Sequence, residues 1–169
     1  MIQTNSREYV RGSGDDLWRR SLYTYWKRAC PPPSLMTFDA PTREFCNIRR
    51  ASTNTPLQAH VLWNDEQFAE AARALAARTL AEPSSDERAR LARLFTRCTI
   101  RSPAADELEL LAGALTEFRA RYAAAPTDAQ ELIEVGEAMV PAELDPVELA
   151  AWTMLANGVL NLNAVLTRG

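Results

Sequence analysis

The sequence predicts an all-α protein, a helical bundle of about five to seven helices with a long ordered Pro/Arg-rich loop region in its N-terminal third. Three observations carry this expectation. After residue 64, apolar residues recur at spacings of three and four, and helix-capping residues stand ahead of each run. Nine of the thirteen aromatic residues lie in the first 68 positions, whereas helix-forming Ala, Leu, Glu and Arg dominate the remainder. Charge divides at the same place: residues 1–64 hold nine basic and five acidic residues, a balance of +4, and residues 65–169 hold ten and seventeen, a balance of −7. The 169 residues, 47% hydrophobic, therefore fit a single domain, 1–169. Its expected parts are a flexible lead-in over 1–14, a helix plus aromatic and Arg-rich loop over 15–64, and the bundle over 65–169.

In the first part, Asp15 or Asp16 is placed to cap a helix carrying Leu17, Trp18, Leu22, Tyr25 and Trp26, which Pro31-Pro32-Pro33 must end. Three prolines favour an extended stretch without internal hydrogen bonds. From Leu35 to Thr53 neither period is clean, so this reads as a long ordered loop. Thr53-Asn54-Thr55-Pro56 then starts a short helix through Leu57, Val61 and Leu62.

In the second part, Asn64 or Asp65 caps a helix through Phe68, Ala72, Leu75 and Thr79, ended by Pro83. Ser84 with Glu87 forms a capping box for a helix burying Leu91, Leu94, Phe95 and Cys98. Ser102-Pro103 opens the clearest stripe, Leu108, Leu111, Leu115, Phe118 and Tyr122. Thr127 with Gln130 starts a short helix that stops near Gly136. Asp145, Pro146 and Glu148 supply an N-cap, a first-turn proline and a reciprocal carboxylate for a last helix with Trp152, Leu155, Val159, Leu162 and Leu166 on one side.

Chemistry-bearing residues are sparse. His60 is the single histidine and has no metal-binding partner at helical spacing; its neighbours Ala59 and Val61 predict a packed structural role. Cys46 lies near Arg43, Arg49 and Arg50, which could lower a thiol pKa, but a small buried cysteine is the simpler reading. The three cysteines form no CxxC pair. Asp39, Glu44 and Asp65 could supply two carboxylates for glycoside hydrolysis, yet Asp39 also reads as a turn residue and Asp65 as a cap. No complete catalytic set emerges, and no cofactor or metal is expected. The remaining cluster, Arg43, Glu44, Arg49, Arg50, Thr53, Asn54, Thr55, Gln58 and Asn64, suits binding of anionic sugars or sulfate, and equally suits tying a loop into the fold. Nucleic acid is not an expected partner, because the positive excess is small and is offset by the acidic second part. Nothing in the sequence reads as a signal peptide or a membrane span.

The stretch from Leu17 to Leu80 closely resembles a domain of unknown function, number fifteen fifty-three, found in planctomycetes and their relatives. The matching motifs are RRSLYTYWKR at 19–28, PPPS at 31–34, FDAPTRE at 38–44, the arginine pair at 49 and 50, TNTPLQ at 53–58, and ND at 64 and 65. The tail AAWTMLANGVLNLNAVLTRG also resembles the family's end. The resemblance implies the C-terminal piece of a large exported, cell-envelope protein that also carries a cytochrome-c-like domain, with upstream domains of the same polypeptide as partners. It implies no haem here and brings no established reaction. The chain departs from the family pattern at His60 and Trp63, where aliphatic residues are usual. The expected function is a noncatalytic interaction or scaffold module, with a region acting on anionic polysaccharide as the alternative.

Overall fold

The computed structural model describes residues 9–27, 29–41, 46–49, 53–84 and 86–167. Among them are eight α-helices, six of which have eight residues or more, and no strand beyond the isolated bridge between Lys27 and Cys30. The all-α bundle is thus the observed fold class. The chain divides into two compact units, Met1–Val61 and Leu62–Gly169, close to the change in composition near Asn64.

The first unit holds little regular structure. Instead of the helix expected from Asp15, two 3-10 turns, Gly14–Trp18 and Ser21–Tyr23, occupy this stretch. Short helices in water persist only when a face is packed. Here Leu22, Tyr23 and Tyr25 stay 76%, 69% and 68% exposed, so no burial holds one together. Pro33 opens helix α1, Pro33–Thr37, inside what the sequence suggested was loop, because a proline at the first helical position loses no hydrogen bond. Helix α2, Pro56–Asn64, follows the TNT segment as expected. Among the described residues of this unit only Pro32 and Gln58 are buried.

The second unit is the bundle. Helix α3, Glu66–Ala81, is capped by Asp65, whose carboxylate accepts from Gln67 N–H at 2.9 Å. Helix α4, Glu87–Thr99, buries Leu91, Leu94, Phe95 and Cys98, the predicted set, but its cap is Asp86 rather than Ser84. Ser84 instead bonds the Asp86 backbone, because a carboxylate next to the first turn displaces the hydroxyl two residues upstream. Helix α5, Ala105–Ala124, starts after Ala104, whose N–H donates to Glu107 at 2.8 Å. Helix α6, Pro126–Ile133, begins on its proline rather than being capped by Thr127. Asp145 caps helix α7, Pro146–Leu160. The last turn, α8, is Asn163–Leu166.

The expected one-sided stripe of the last helix is a second correction. Nine of the fifteen α7 residues are buried, from Leu149 to Val159, and they face all round the axis. Helices α3, α5 and α6 pack against it, so α7 is the central rod of the unit. A helix apolar on every side reads as a core helix rather than an amphipathic one. Leu162 lies beyond its end and is 38% exposed.

Candidate functional site

The candidate residues of the first unit meet in a polar latch. Helix α1 closes with Asp39 N–H donating to Met36 O at 3.3 Å and Ala40 N–H donating to Leu35 O at 2.9 Å. This is a Schellman closure whose left-handed position, normally glycine, is Asp39 at φ 58°. Aspartate tolerates that conformation better than most residues, and Pro41 keeps the helix from resuming. The turn delivers the Asp39 carboxylate to Thr53, fourteen residues on. It accepts from Thr53 N–H at 2.7 Å and from the Thr53 hydroxyl at 2.8 Å.

Gln58 completes the latch. Thr55 N–H donates to Gln58 Oε1 at 3.0 Å and Gln58 N–H donates to Thr55 Oγ1 at 3.3 Å, a reciprocal capping box at the start of α2. The other end of the amide donates from Nε2 to Thr37 O at 2.9 Å and to Thr53 Oγ1 at 3.1 Å. Gln58 is 2% exposed, so one side chain joins α1, the TNT segment and α2 with its polar atoms turned inward. The FDAP and TNTPLQ motifs are therefore two halves of one hydrogen-bonded joint. Asn54, Arg49 and Asn64 are exposed, whereas Arg43, Glu44 and Arg50 lie outside the described residues.

The other sequence candidates separate. The Asp39 carboxylate is engaged by Thr53, and Asp65 caps α3. His60 is on an exposed side of α2, not packed as its neighbours suggested, because α2 turns its Gln58 and Leu62 positions inward. Cys46 is exposed rather than buried, standing in a stretch with Ile48 fully in solvent. Beside the latch lies a cleft of about 260 Å³ lined by Ser21, Leu22, Trp26, Leu35, Phe38, Ala40 and Pro41. No ionisable side chain lines it, so it offers contact area and not proton transfer.

Two polar clusters of the second unit were not legible as sites. Glu70 and Arg73, one turn apart on α3, are each 3% exposed. Arg73 donates to Ile133 O, and to Ala138 O at 2.7 Å, while Glu70 accepts from Glu137 N–H at 2.7 Å. Together they clamp the chain leaving α6, where Gly136 turns at φ 97° against the Glu70 carboxylate. Burial lowers the Arg73 pKa, and the Glu70 charge opposes that shift. The only advance signal was an acid and a base on an otherwise alanine-lined face, with a glycine after α6.

The second cluster joins three helices. Arg119 on α5 donates from Nε to Glu148 at 2.8 Å and from Nη2 to its other oxygen, and it also pairs with Glu87 at 2.7 Å. Trp152 Nε1 donates to Glu148 at 2.8 Å. Glu148 was expected to reach back to its own helix start; the guanidinium fork outcompetes that backbone donor. Arg119 holds the Glu148 carboxyl below its ordinary range, against a smaller opposing effect of burial. All these groups are consumed in joining helices. Among the described residues no group of three His, Cys, Asp or Glu side chains could hold a metal ion. No helix among them is long and apolar enough to cross a membrane.

A family model described as PSD1, protein of unknown function (DUF1553), matches residues 1–115, which takes in the latch, the aromatic cleft, α3 and α4. No curated protein and no solved structure matches the chain.

Proposed function

The chain belongs to the PSD1 family of proteins of unknown function (DUF1553), and from that premise we propose that it is a noncatalytic helical module that packs against, or positions, other domains of a larger exported protein. One observation carries the reading. The first unit buries the polar Gln58 in the latch and leaves large apolar groups outside: nine of the fourteen large exposed hydrophobic side chains among the described residues are in it, including Trp18, Leu22, Tyr23 and Tyr25. Exposed aromatic and aliphatic side chains grouped in this way favour a surface that another protein covers. The upstream domains of the same polypeptide are the proposed partners, and an exported, cell-envelope setting with a neighbouring cytochrome-c-like domain goes with this reading. No haem is held in this module.

The test is co-purification and thermal shift with the upstream domains. Binding should raise the melting temperature, and Leu22→Ser with Tyr25→Ser should abolish the rise. An upstream region that neither binds nor stabilises the chain would overturn the scaffold reading.

A second reading, binding of anionic polysaccharide, is favoured by exposed Arg49 in the same unit as exposed Trp18, Tyr23 and Tyr25. Guanidinium groups suit sulfate or uronate, and aromatic faces suit sugar rings. Glycan-array binding should then be lost in the Arg49→Ala, Arg50→Ala double variant; binding that survives it removes this reading.

A further inference from the structure

We propose that the outer face of α5 is a docking surface for the basic, aromatic first unit of a second copy of this chain. The face runs along one exposed side of α5 and is formed by Asp106, Glu109, Leu110, Gly113, Ala114 and Glu117. Leu110 stands at its centre 73% exposed, although the opposite side of the same helix carries the packed stripe through Leu115 and Tyr122.

Gly113 is the second observation. It sits in the middle of a twenty-residue helix, where glycine weakens the helix relative to alanine. Its φ is not left-handed, and an added Cβ would meet nothing within 4 Å. Neither backbone conformation nor internal packing therefore requires it. What a missing side chain leaves there is a notch open to the outside, next to an exposed leucine.

Charge selects the occupant. Asp106 also serves its own helix start, accepting from Glu107 N–H at 2.9 Å, and Glu109 lies 4.0 Å from Arg88. Three carboxylates thus line this face beside the exposed Leu110. Residues 1–64 carry the complementary balance of +4, with Arg49 and the apolar Leu22, Tyr23, Tyr25 and Ile48 exposed. One chain thus presents both an acidic notched face and a basic apolar one. Such a contact is heterologous, and a face of six residues on one helix places it in the weak class, between about micromolar and millimolar.

The proposal draws on the same exposed first-unit surface as the scaffold reading, but its test uses this chain alone, so the two fail separately. Sedimentation of the full chain over a concentration series should show self-association at about 50 mM salt that fades at about 500 mM, as screening of exposed charges requires. Glu109→Arg with Glu117→Arg should weaken association at least about fivefold with an unchanged circular dichroism spectrum. Gly113→Gln should weaken it similarly by filling the notch, while raising the melting temperature by a few degrees through better helix propensity. A chain that is monomeric at every concentration overturns the proposal and leaves the face to a different protein. Association that survives both variants, or that is lost only with Leu22→Ser and Tyr25→Ser, overturns it in favour of contact between two aromatic surfaces.

Discussion

In the second unit, seventeen hydrophobic residues form one buried cluster around α7, and burying each large member contributes about 1.5–3 kcal/mol. In the first unit, the described residues bury one proline and one glutamine, and order comes from seven or so oriented hydrogen bonds among Thr37, Asp39, Thr53, Thr55 and Gln58, each worth about 1 kcal/mol net. The two differ in how they fail. A core loses stability in proportion to the volume removed, whereas a latch fails when a single donor or acceptor is taken away. They differ also in what they leave outside: the latched unit exposes most of the large hydrophobic side chains, and among them Trp18, Tyr23 and Tyr25.

The comparison breaks most heavily at Trp152. It is fully buried and also donates to Glu148, so Trp152→Ala should cost about 3–5 kcal/mol, read as a large fall in the denaturant midpoint. A loss below about 1 kcal/mol would show that α7 is not the central rod. Gly136→Ala comes next. A Cβ there would stand 2.8 Å from the Glu70 Cδ and closer still to its Oε2, at a backbone φ of 97°. The combined clash and strain should cost roughly 2–4 kcal/mol and release the clamp on residues 133–138. Gly136→Asn, which tolerates positive φ, should cost nearly as much, because the clash remains.

In the first unit, Gln58→Ala removes the side-chain half of the capping box, keeps the backbone bond to Thr55 Oγ1, and strands Thr55 N–H and Thr37 O. The expected cost is about 1–3 kcal/mol, confined to that unit. Hydrogen exchange should quicken over residues 35–60 and stay unchanged over 66–160. Equal loss of protection in both regions would mean that the two units do not fail separately.

Acid should act on the second unit. Guanidinium partners hold the carboxyls of Glu148 and Glu82 below their ordinary range, and hydrogen bonds from Arg101 and Ala104 take Glu107 down to about 2. For a depressed carboxyl the stabilisation is present above the unfolded pKa, about 4.3, and is lost as pH falls through the folded value. Stability should therefore be flat above about pH 5 and decline from about pH 4.5 towards 2. Glu148→Gln should lower stability at neutral pH by about 1 kcal/mol, since the pair with Arg119 is partly exposed, and should shallow the acid limb. An acid limb of unchanged slope would remove Glu148 from the cause.

What the sequence made legible follows the same division. The α4 stripe Leu91, Leu94, Phe95, Cys98 and the cap Asp145 could be read directly, and the α3 cap narrowed to Asn64 or Asp65, because local spacing and local hydrogen bonds determine them. The first helix failed because its apolar residues promised a face without saying whether anything would cover it. Gln58 was singled out among the polar residues of the TNTPLQ segment, but its bond to Thr37 spans twenty-one positions and no spacing rule reports it. Glu70 and Arg73 were invisible for a related reason: their partners are backbone atoms sixty or more residues away, and a backbone group carries no sequence signature.

The smallest expected effect sharpens the account of where the bundle stores strain. Ile100 ends α4 at φ 64°, a left-handed conformation that costs a β-branched residue about 1–2 kcal/mol, and its side chain is 71% exposed. The turn it makes is useful: it brings Arg101 over the Phe95 ring at 4.7 Å and into a two-bond pair with Glu107 at the start of α5. Glycine adopts the same turn without strain and keeps the Ile100 N–H bond to Thr96 O at 2.8 Å. It also widens the unfolded ensemble, which offsets part of the gain. Ile100→Gly should therefore stabilise the second unit by about 0.5–1 kcal/mol, a rise of a few degrees in melting temperature with an unchanged denaturant slope. A fall instead would mean that the exposed isoleucine is held in place by contacts worth more than its strain, and would place Ile100 in an interface rather than at a simple helix end.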